Sequence, residues 1–391
     1  MITKSGLDSK NFEFRSAGEV SEELYMSYTS HIPTGLFTLT NDKGMEVCVT
    51  NVGARIVSIM VADKSFDFRD VVLGFDSLKG YIDFEQRHNN YHGAVVGRFA
   101  NRIADAQFEL EGVVYDLPKN DGENCLHGGP YGWAYQTFSV VEQTTNKLVL
   151  NLKSPDMDMG FPGNVDFYVC YELFNDNSLH VYYSATTDKS TPINITNHMY
   201  LNLSGNHSQE VLDDELFINS LYMTPINEAL YPTGAIIPIR KNSPLDFYGK
   251  SLFGSKYFKR GKKVGKDIDA NDEQIKLGNG YDHNFVIQNM EKSRQKKIFP
   301  YHNEINFCAR AHNLESGITL EVFTTEPGVQ LYDSIHLDGS LIGKNNIPIS
   351  ARCGLCLETQ HFPNSPNIEK FPSTILHPGE TYNSVSIYKF S

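Results

Sequence analysis

The feature that most constrains this 391-residue chain is a series of short segments in which apolar residues recur at every second position. Between residues 108 and 117, Phe108 and Leu110, then Val113, Tyr115 and Leu117, fall on alternate positions. That period is the mark of a strand with one buried face. Glu111-Gly112 between the two halves suits a two-residue hairpin turn, with glycine supplying positive φ. Similar runs occupy residues 167–174, 179–185, 318–324 and 355–360. Stripes with i, i+3, i+4 spacing are scarce, and residues 76–84 form the best short helix candidate. Many short strands and few helices predict an all-β fold, a large antiparallel β-sandwich or barrel.

Length alone, at about 150 residues per domain, would suggest two or three domains. No Pro/Gly linker and no internal repeat divides the chain, so the expectation is one β domain over residues 31–391. The first 30 residues are polar and aperiodic, and read as a loosely docked N-terminal extension. Residues 256–266 carry six basic side chains and are followed at once by the acidic stretch 267–273. Such a charge run reads as a solvated inserted loop. Residues 291–303 form a second polar excursion.

Composition excludes several partners. With 47 acidic and 34 basic residues the formal charge is −13, which disfavours nucleic acid and anionic membrane, both of which select Lys/Arg clusters. The 21 Tyr and 24 Phe favour strands and can stack on a sugar ring. A neutral polar ligand fits this balance. The opening residues lack the apolar stretch of a secretory signal, and no run approaches the roughly 18–20 apolar residues of a membrane helix. Six scattered cysteines suit a reduced compartment, so a cytoplasmic protein is expected.

Familiar catalytic signatures fail. Cys353 and Cys356 form a CxxC without the second pair that a zinc site needs, and in a strand the two sulfurs would point to opposite faces. His88 and His92 sit at i, i+4 on a poor helix former. His127-Gly-Gly has no GxSxG elbow to serve, and HExxH, P-loop and GxGxxG motifs are missing. Sequons at Asn194, Asn202 and Asn206 read as coincidental.

What remains is a set of polar side chains on strand faces and in relaxed loops. In residues 195–203, period two places Thr196, His198, Tyr200 and Asn202 on one face and Ile195, Met199, Leu201 and Leu203 among those on the other. In residues 355–360, Leu355 and Leu357 share a face while Glu358 and Gln360 project oppositely. Burying such a carboxylate and amide is costly without partners, so both segments are site candidates. Asn101 and Arg102 precede the hairpin, His127 lies in a glycine-relaxed loop, Asp282 follows Gly280-Tyr281, and Gln330 follows a Pro327-Gly328 turn. These groups suit vicinal hydroxyls; they include no obvious metal-ligand set and no evident nucleophile.

The ordered segments GRFANRI, NCLHGG, TPINITNHMYLNL, YDHNF, TTEPGVQLY and LETQHFPNSPN resemble the aldose 1-epimerase (galactose mutarotase) family. Weaker likeness runs from about Thr34 to Phe390. The resemblance implies the galactose mutarotase-like β-supersandwich and cofactor- and metal-free interconversion of the anomers of a free aldohexose. It implies that Glu358 is the base at the C1 hydroxyl, that His198 is the acid at the ring oxygen, and that His127 polarises the same region. Asn101, Arg102, Asp282 and Gln330 fall on hydroxyl-binding positions, and His283 and His361 point away from their functional neighbours. The chain departs from the family at Asn364, commonly Asp, at Leu201, usually Phe, and after His127-Gly-Gly129. The departures at Asn364 and after Gly129 bear on sugar preference. Two rivals are weighed: a hexose-6-phosphate 1-epimerase of the same fold, and a sugar-binding protein without catalysis. Oligomeric state is not legible.

Overall fold

The computed structural model describes residues 1–13, 32–82, 91–248, 261–288 and 304–391. His88, residues 14–30 of the polar extension, residues 256–260 of the basic run and the excursion 291–303 lie outside the described residues. Every ladder between the described strands is antiparallel. Three sheets dominate, of nine, five and four strands. The described α-helices are short, Leu78–Ile82 and Glu273–Gly278, so the expected helix at 76–84 is a five-residue turn within the described part. No described helix is long and apolar enough to cross a membrane.

The nine-stranded sheet shows how alternation becomes architecture. In Val165–Leu173 the residues Val165, Phe167, Val169, Tyr171 and Leu173 are buried, and the residues between them are less so. Leu148, Leu150 and Leu152 on one neighbour and Leu179, Val181 and Tyr183 on the other bury the same face. This face meets Val47, Val49, Ile56 and Ile59 of the four-stranded sheet and Phe285, Val329, Leu331 and Leu357 of the five-stranded sheet in one apolar core. Sheets each apolar on one face hide those faces against one another, which is the logic of a sandwich. The C-terminal strand Tyr382–Phe390 lies inside the nine-stranded sheet, between Ser178–Thr187 and Thr319–Thr324.

Other expectations meet the structure unevenly. Gln107–Leu110 pairs with Val113–Asp116, and the intervening Glu111 and Gly112 both have positive φ, as the two-residue hairpin requires. The stretch 195–203 is not a long half-buried strand. Within it only Thr196–Asn197 forms a ladder, with Val95–Val96, while Leu201 makes isolated bridges to Val72 and Leu355, and every residue from Ile195 to Leu203 is buried. Its polar side chains face other protein groups rather than water, so alternation there does not mean exposure. The first 13 residues are not loose: Leu7 and Phe12 are fully buried beside Phe75, Leu78 and Tyr81.

Phe167 is fully buried with its ring 4.5 Å from that of Trp133. Phe167→Ala should lower the unfolding free energy by about 3–5 kcal/mol in urea titrations, the usual cost of such a cavity. A loss below about 1 kcal/mol would mean that the sheets do not share this core.

Candidate active site

The five-stranded sheet carries the site on the face turned away from the core. Asp282–Val286, Gly328–Tyr332 and Cys356–Gln360 are neighbours, and their register sets Asn284, Gln330 and Glu358 in one row. Side chains alternate along each strand, so Leu357 enters the apolar core while Cys356, Glu358 and Gln360 stand on the opposite face. That face is nonetheless buried, with Glu358 at 2% exposure and Gln330 at 3%. Among the described residues, Glu358 Oε2 and Gln330 Oε1 have no hydrogen-bond partner. Buried polar atoms of this kind are ready acceptors and donors for a ligand.

Two loops bring the remaining groups over this face. Arg102–Ile103 pairs with Cys125–Leu126, and beyond the ladder the chain turns sharply at Asn101 and His127, with φ of 65° and 53°. Left-handed backbone at non-glycine residues costs about 1 kcal/mol or more each, and here it re-aims both side chains. Gly128 has φ 80°, and a Cβ there would lie 2.1 Å from Gly97 O, so only glycine lets the His127 loop close on the Gly97 segment. Arg98 fastens that segment from beneath, donating to the carbonyls of Ser154, Pro155, Phe161, Pro162 and Gly163.

The two histidines have different surroundings. His127 Nδ1 accepts from the Asn101 backbone N–H at 3.1 Å, so the neutral ring carries its proton on Nε2 and acts as a fixed donor. His198 lies parallel to Tyr91 and Tyr200, 5.8 and 4.9 Å away, each at an interplanar angle of 19°. Its Nδ1 contacts Cys356 Sγ at 3.6 Å, and its Nε2 lies 3.7 Å from Glu358 Oε1. The His198 backbone donates to Ala94 O and accepts from Gly93 N–H, which anchors the residue outside any regular strand.

Burial controls the electrostatics. It pushes Glu358 well above the usual carboxylate range, with Asp282 adding to the shift and Arg102 opposing it. Burial also lowers His198 to about 4, and a hydrogen bond to its own backbone opposes that shift. His127 is lowered well below the ordinary imidazole range, first by burial and then by His198 and Arg102. Desolvation disfavours every charged form, so the free site leans towards neutral partners.

The seven residues singled out from sequence form a closed circuit. Asn101 holds His127, whose ring lies 5.2 Å from that of His198; His198 approaches Glu358, and Glu358 pairs in register with Gln330. Gln330 Nε2 donates to Asp282 Oδ1 at 2.6 Å, Asp282 Oδ2 lies 3.5 Å from Arg102 Nη1, and the Arg102 backbone N–H donates to Asn101 Oδ1. Positions from 101 to 358 thus converge on one place.

His127, His198 and Glu358 offer ligand atoms within 4.8 Å of one another, a triad compatible with a cation that sequence inspection does not reveal. Its surroundings oppose that use. A metal on His127 Nε2 would drive the ring proton to Nδ1, where the Asn101 N–H already points. Metal-binding imidazoles need an acceptor behind them, and this one has a donor.

The chain is similar to known proteins along most of its length. Residues 35–389 match the family model described as Aldose 1-epimerase. The chain belongs to the aldose 1-epimerase family. Galactose mutarotase of Mus musculus is 38% identical over 355 residues, covering 91% of this chain and 93% of that protein. Aldose 1-epimerase of Escherichia coli (strain K12) is 33% identical over 367 residues, covering 92% and 95%. Among solved structures, a GalM/aldose epimerase homologue from C. elegans superposes with a TM-score of 0.78 at 28% identity, covering 92% of this chain and 99% of that one. Galactose 1-epimerase from Lactobacillus acidophilus NCFM gives a TM-score of 0.74 at 27% identity, covering 92% and 95%. The galactose mutarotase-like fold expected from the sequence is the fold observed.

Several details of this epimerase-family site escape the sequence reading. Cys356, set aside as half of a failed CxxC, touches His198, and burial raises its thiol well above the ordinary range. Tyr91 and Tyr200 frame His198, and Asp121 ion-pairs with Arg102. No local pattern marks Cys356, Tyr91 or Asp121, because each acts through a contact distant in sequence, whereas Tyr200 lies two residues from His198 on the face that period two assigns to both. Asn364, where the family commonly has Asp, accepts from the Ala104 N–H and donates its own N–H to Arg102 O, so it braces the Arg102 loop. His283 contacts Gln274 O, and His361 pairs with buried Glu326 at 2.6 Å.

The His127 arrangement predicts a fixed tautomer. In nitrogen-15 NMR, His127 should show a protonated Nε2 and a bare Nδ1 across neutral pH, without titration near 6.5. A protonated Nδ1 at neutral pH would contradict the hydrogen bond from Asn101.

Proposed function

We propose that this chain is a mutarotase, interconverting the α and β anomers of free aldohexoses such as galactose and glucose. The observation that carries this reading is the buried Glu358–His198 pair, 3.7 Å apart, with the fixed donor His127 beside it. Mutarotation needs one proton removed and one delivered at opposite ends of the C1–O5 bond, and an acid and a base can supply both. With sugar bound and the pair's proton passed from Glu358 to His198 Nε2, the ionised Glu358 takes the proton from the C1 hydroxyl, and C1=O forms as C1–O5 breaks. His198 delivers its Nε2 proton to O5, while His127 Nε2–H polarises the same region. Rotation about C1–C2 presents the other carbonyl face. O5 then attacks C1, His198 recovers the proton from O5, and Glu358 returns its proton to O1.

The pair holds one proton before, during and after this cycle; only its position changes. Burial favours the neutral arrangement, with the proton on Glu358. The charged arrangement, with the proton on His198, gains about 4 kcal/mol of attraction at 3.7 Å if the effective dielectric is about 20, which offsets part of that preference. A proton that can occupy either group suits a reversible reaction whose substrate and product are near-equal in stability.

Arg102, Asp282, Gln330 and Asn101 are the proposed hydroxyl-binding groups, with the Asp282 carboxylate accepting and the Arg102 fork donating. The negative balance around Arg102 supports a free sugar over a hexose 6-phosphate. We read residues 31–391 as one catalytic domain, supported by a continuous apolar cluster that takes in side chains from Leu39 to Phe390.

Polarimetry of freshly dissolved α-D-galactose or α-D-glucose tests the function. Catalytic amounts of protein should accelerate the approach to equilibrium, and no acceleration with either sugar would refute it. Glu358→Ala and His198→Ala should each lower kcat at least ~100-fold, the lower range of general acid–base contributions. Retained activity in either would overturn the assigned role.

The pH profile follows from the directions of the shifts. Gaining a second proton requires His198, lowered to about 4, and losing the only proton requires Glu358, raised above its ordinary range. The kcat/KM of the free enzyme should therefore fall on the acid side only well below 6.5. An acid limb centred near 6.5 would contradict the account.

A further inference from the structure

Arg102 is buried at 7% exposure, and its guanidinium is divided among fixed partners. Nε donates to Asp121 Oδ2 at 2.6 Å, while Nη1 lies 3.5 Å from Asp282 Oδ2 and 3.4 Å from Leu230 O. No described residue accepts a hydrogen bond from Nη2, which leaves that nitrogen as the free edge of the fork. A guanidinium is planar and rigid, so holding the Nε edge fixes the direction in which Nη2 points. Burial alone would weaken its proton affinity, and Asp282 and Asp121 together outweigh that effect.

Asp121 is itself held in register with Arg102. Its loop forms a β-bridge to Asn124, and the adjoining Asn120 side chain both donates to Leu126 O and accepts from Leu126 N–H. Leu126 pairs directly with Arg102 in the short ladder, so a single two-residue sheet places ion-pair donor and acceptor together. Asp121 is 30% exposed at its side chain and touches none of Glu358, His198 or His127. With Asp121 and Asp282 both against Arg102, one positive charge faces two negative ones.

We propose that Asp121 is a positioning residue that aims Arg102 and cancels its charge, so that the site favours uncharged sugars over anionic ones. A hydrogen bond from Arg102 to a neutral hydroxyl is nearly indifferent to the surrounding charge. Capture of a phosphate or carboxylate is not, because the added anion meets Asp121 and Asp282 as well as Arg102. One carboxylate thereby acts as a structural clamp and as a barrier to the wrong substrate class. This inference rests on reading Arg102 as a hydroxyl-binding group of a mutarotase.

Three substitutions separate aim from charge. Asp121→Ala frees the Nε edge and should raise KM for galactose about tenfold, in the range for losing a hydrogen bond to a charged group, with kcat within about twofold. Asp121→Glu should restore KM to within about threefold of wild type. Asp121→Asn keeps an acceptor for Nε but removes the charge, so KM for galactose should change little while inhibition by galactose 6-phosphate strengthens severalfold. Loss of kcat at unchanged KM in Asp121→Ala, or no gain of phosphate-sugar inhibition in Asp121→Asn, would overturn the proposal. If the wild-type protein accelerated no aldose, the mutarotase reading would fail. Calorimetric galactose and galactose 6-phosphate affinities of the same variants would then still decide the role of Asp121.

Discussion

The rest of the site depends on removing one carboxylate, Glu358, from water beside one imidazole, His198. Desolvation makes an ordinary glutamate a competent base and keeps the histidine from holding a proton permanently. Each effect requires burial, and burial requires the sheet. Glu358 sits in the edge strand Cys356–Gln360, whose alternate residues anchor the core, so the strand that buries the base also fixes its position. A mobile loop could carry the same residues but could not hold the pair at 3.7 Å.

The circuit of contacts around the pair explains why such distant segments are needed. Each polar group stabilises the next, and the circuit closes only when the five-stranded sheet, the Arg102–Leu126 ladder and the His198 segment are all assembled. The two imidazoles owe their different roles to what lies behind them: a backbone donor behind His127, and a thiol behind His198. Identical side chains are thus assigned a fixed hydrogen-bond donor and a proton carrier by their neighbours.

Much of this was legible in the sequence, for a physical reason. Period-two patterning reports which face of a strand is buried, and it located the 107–116 hairpin and the strand bearing Glu358. It misled at 195–203, where only Thr196–Asn197 forms a ladder and both faces are buried, so the segment is not the continuous strand that alternation suggests. The family likeness assembled the seven site residues. Asp121, Cys356 and Tyr91 were invisible to both approaches, since their meaning lies in contacts across 19 to 158 residues of chain. Register, not local composition, decides such contacts.

The central claim is that Glu358 and His198 together hold one proton at neutral pH, and that in the free protein burial places it on the carboxylate. Infrared difference spectroscopy of the wild type against Glu358→Gln tests this directly. The account predicts a protonated-carboxyl C=O stretch at neutral pH that the substitution removes. A Glu358 signal of the ionised carboxylate alone, under the same conditions and without sugar, would contradict it.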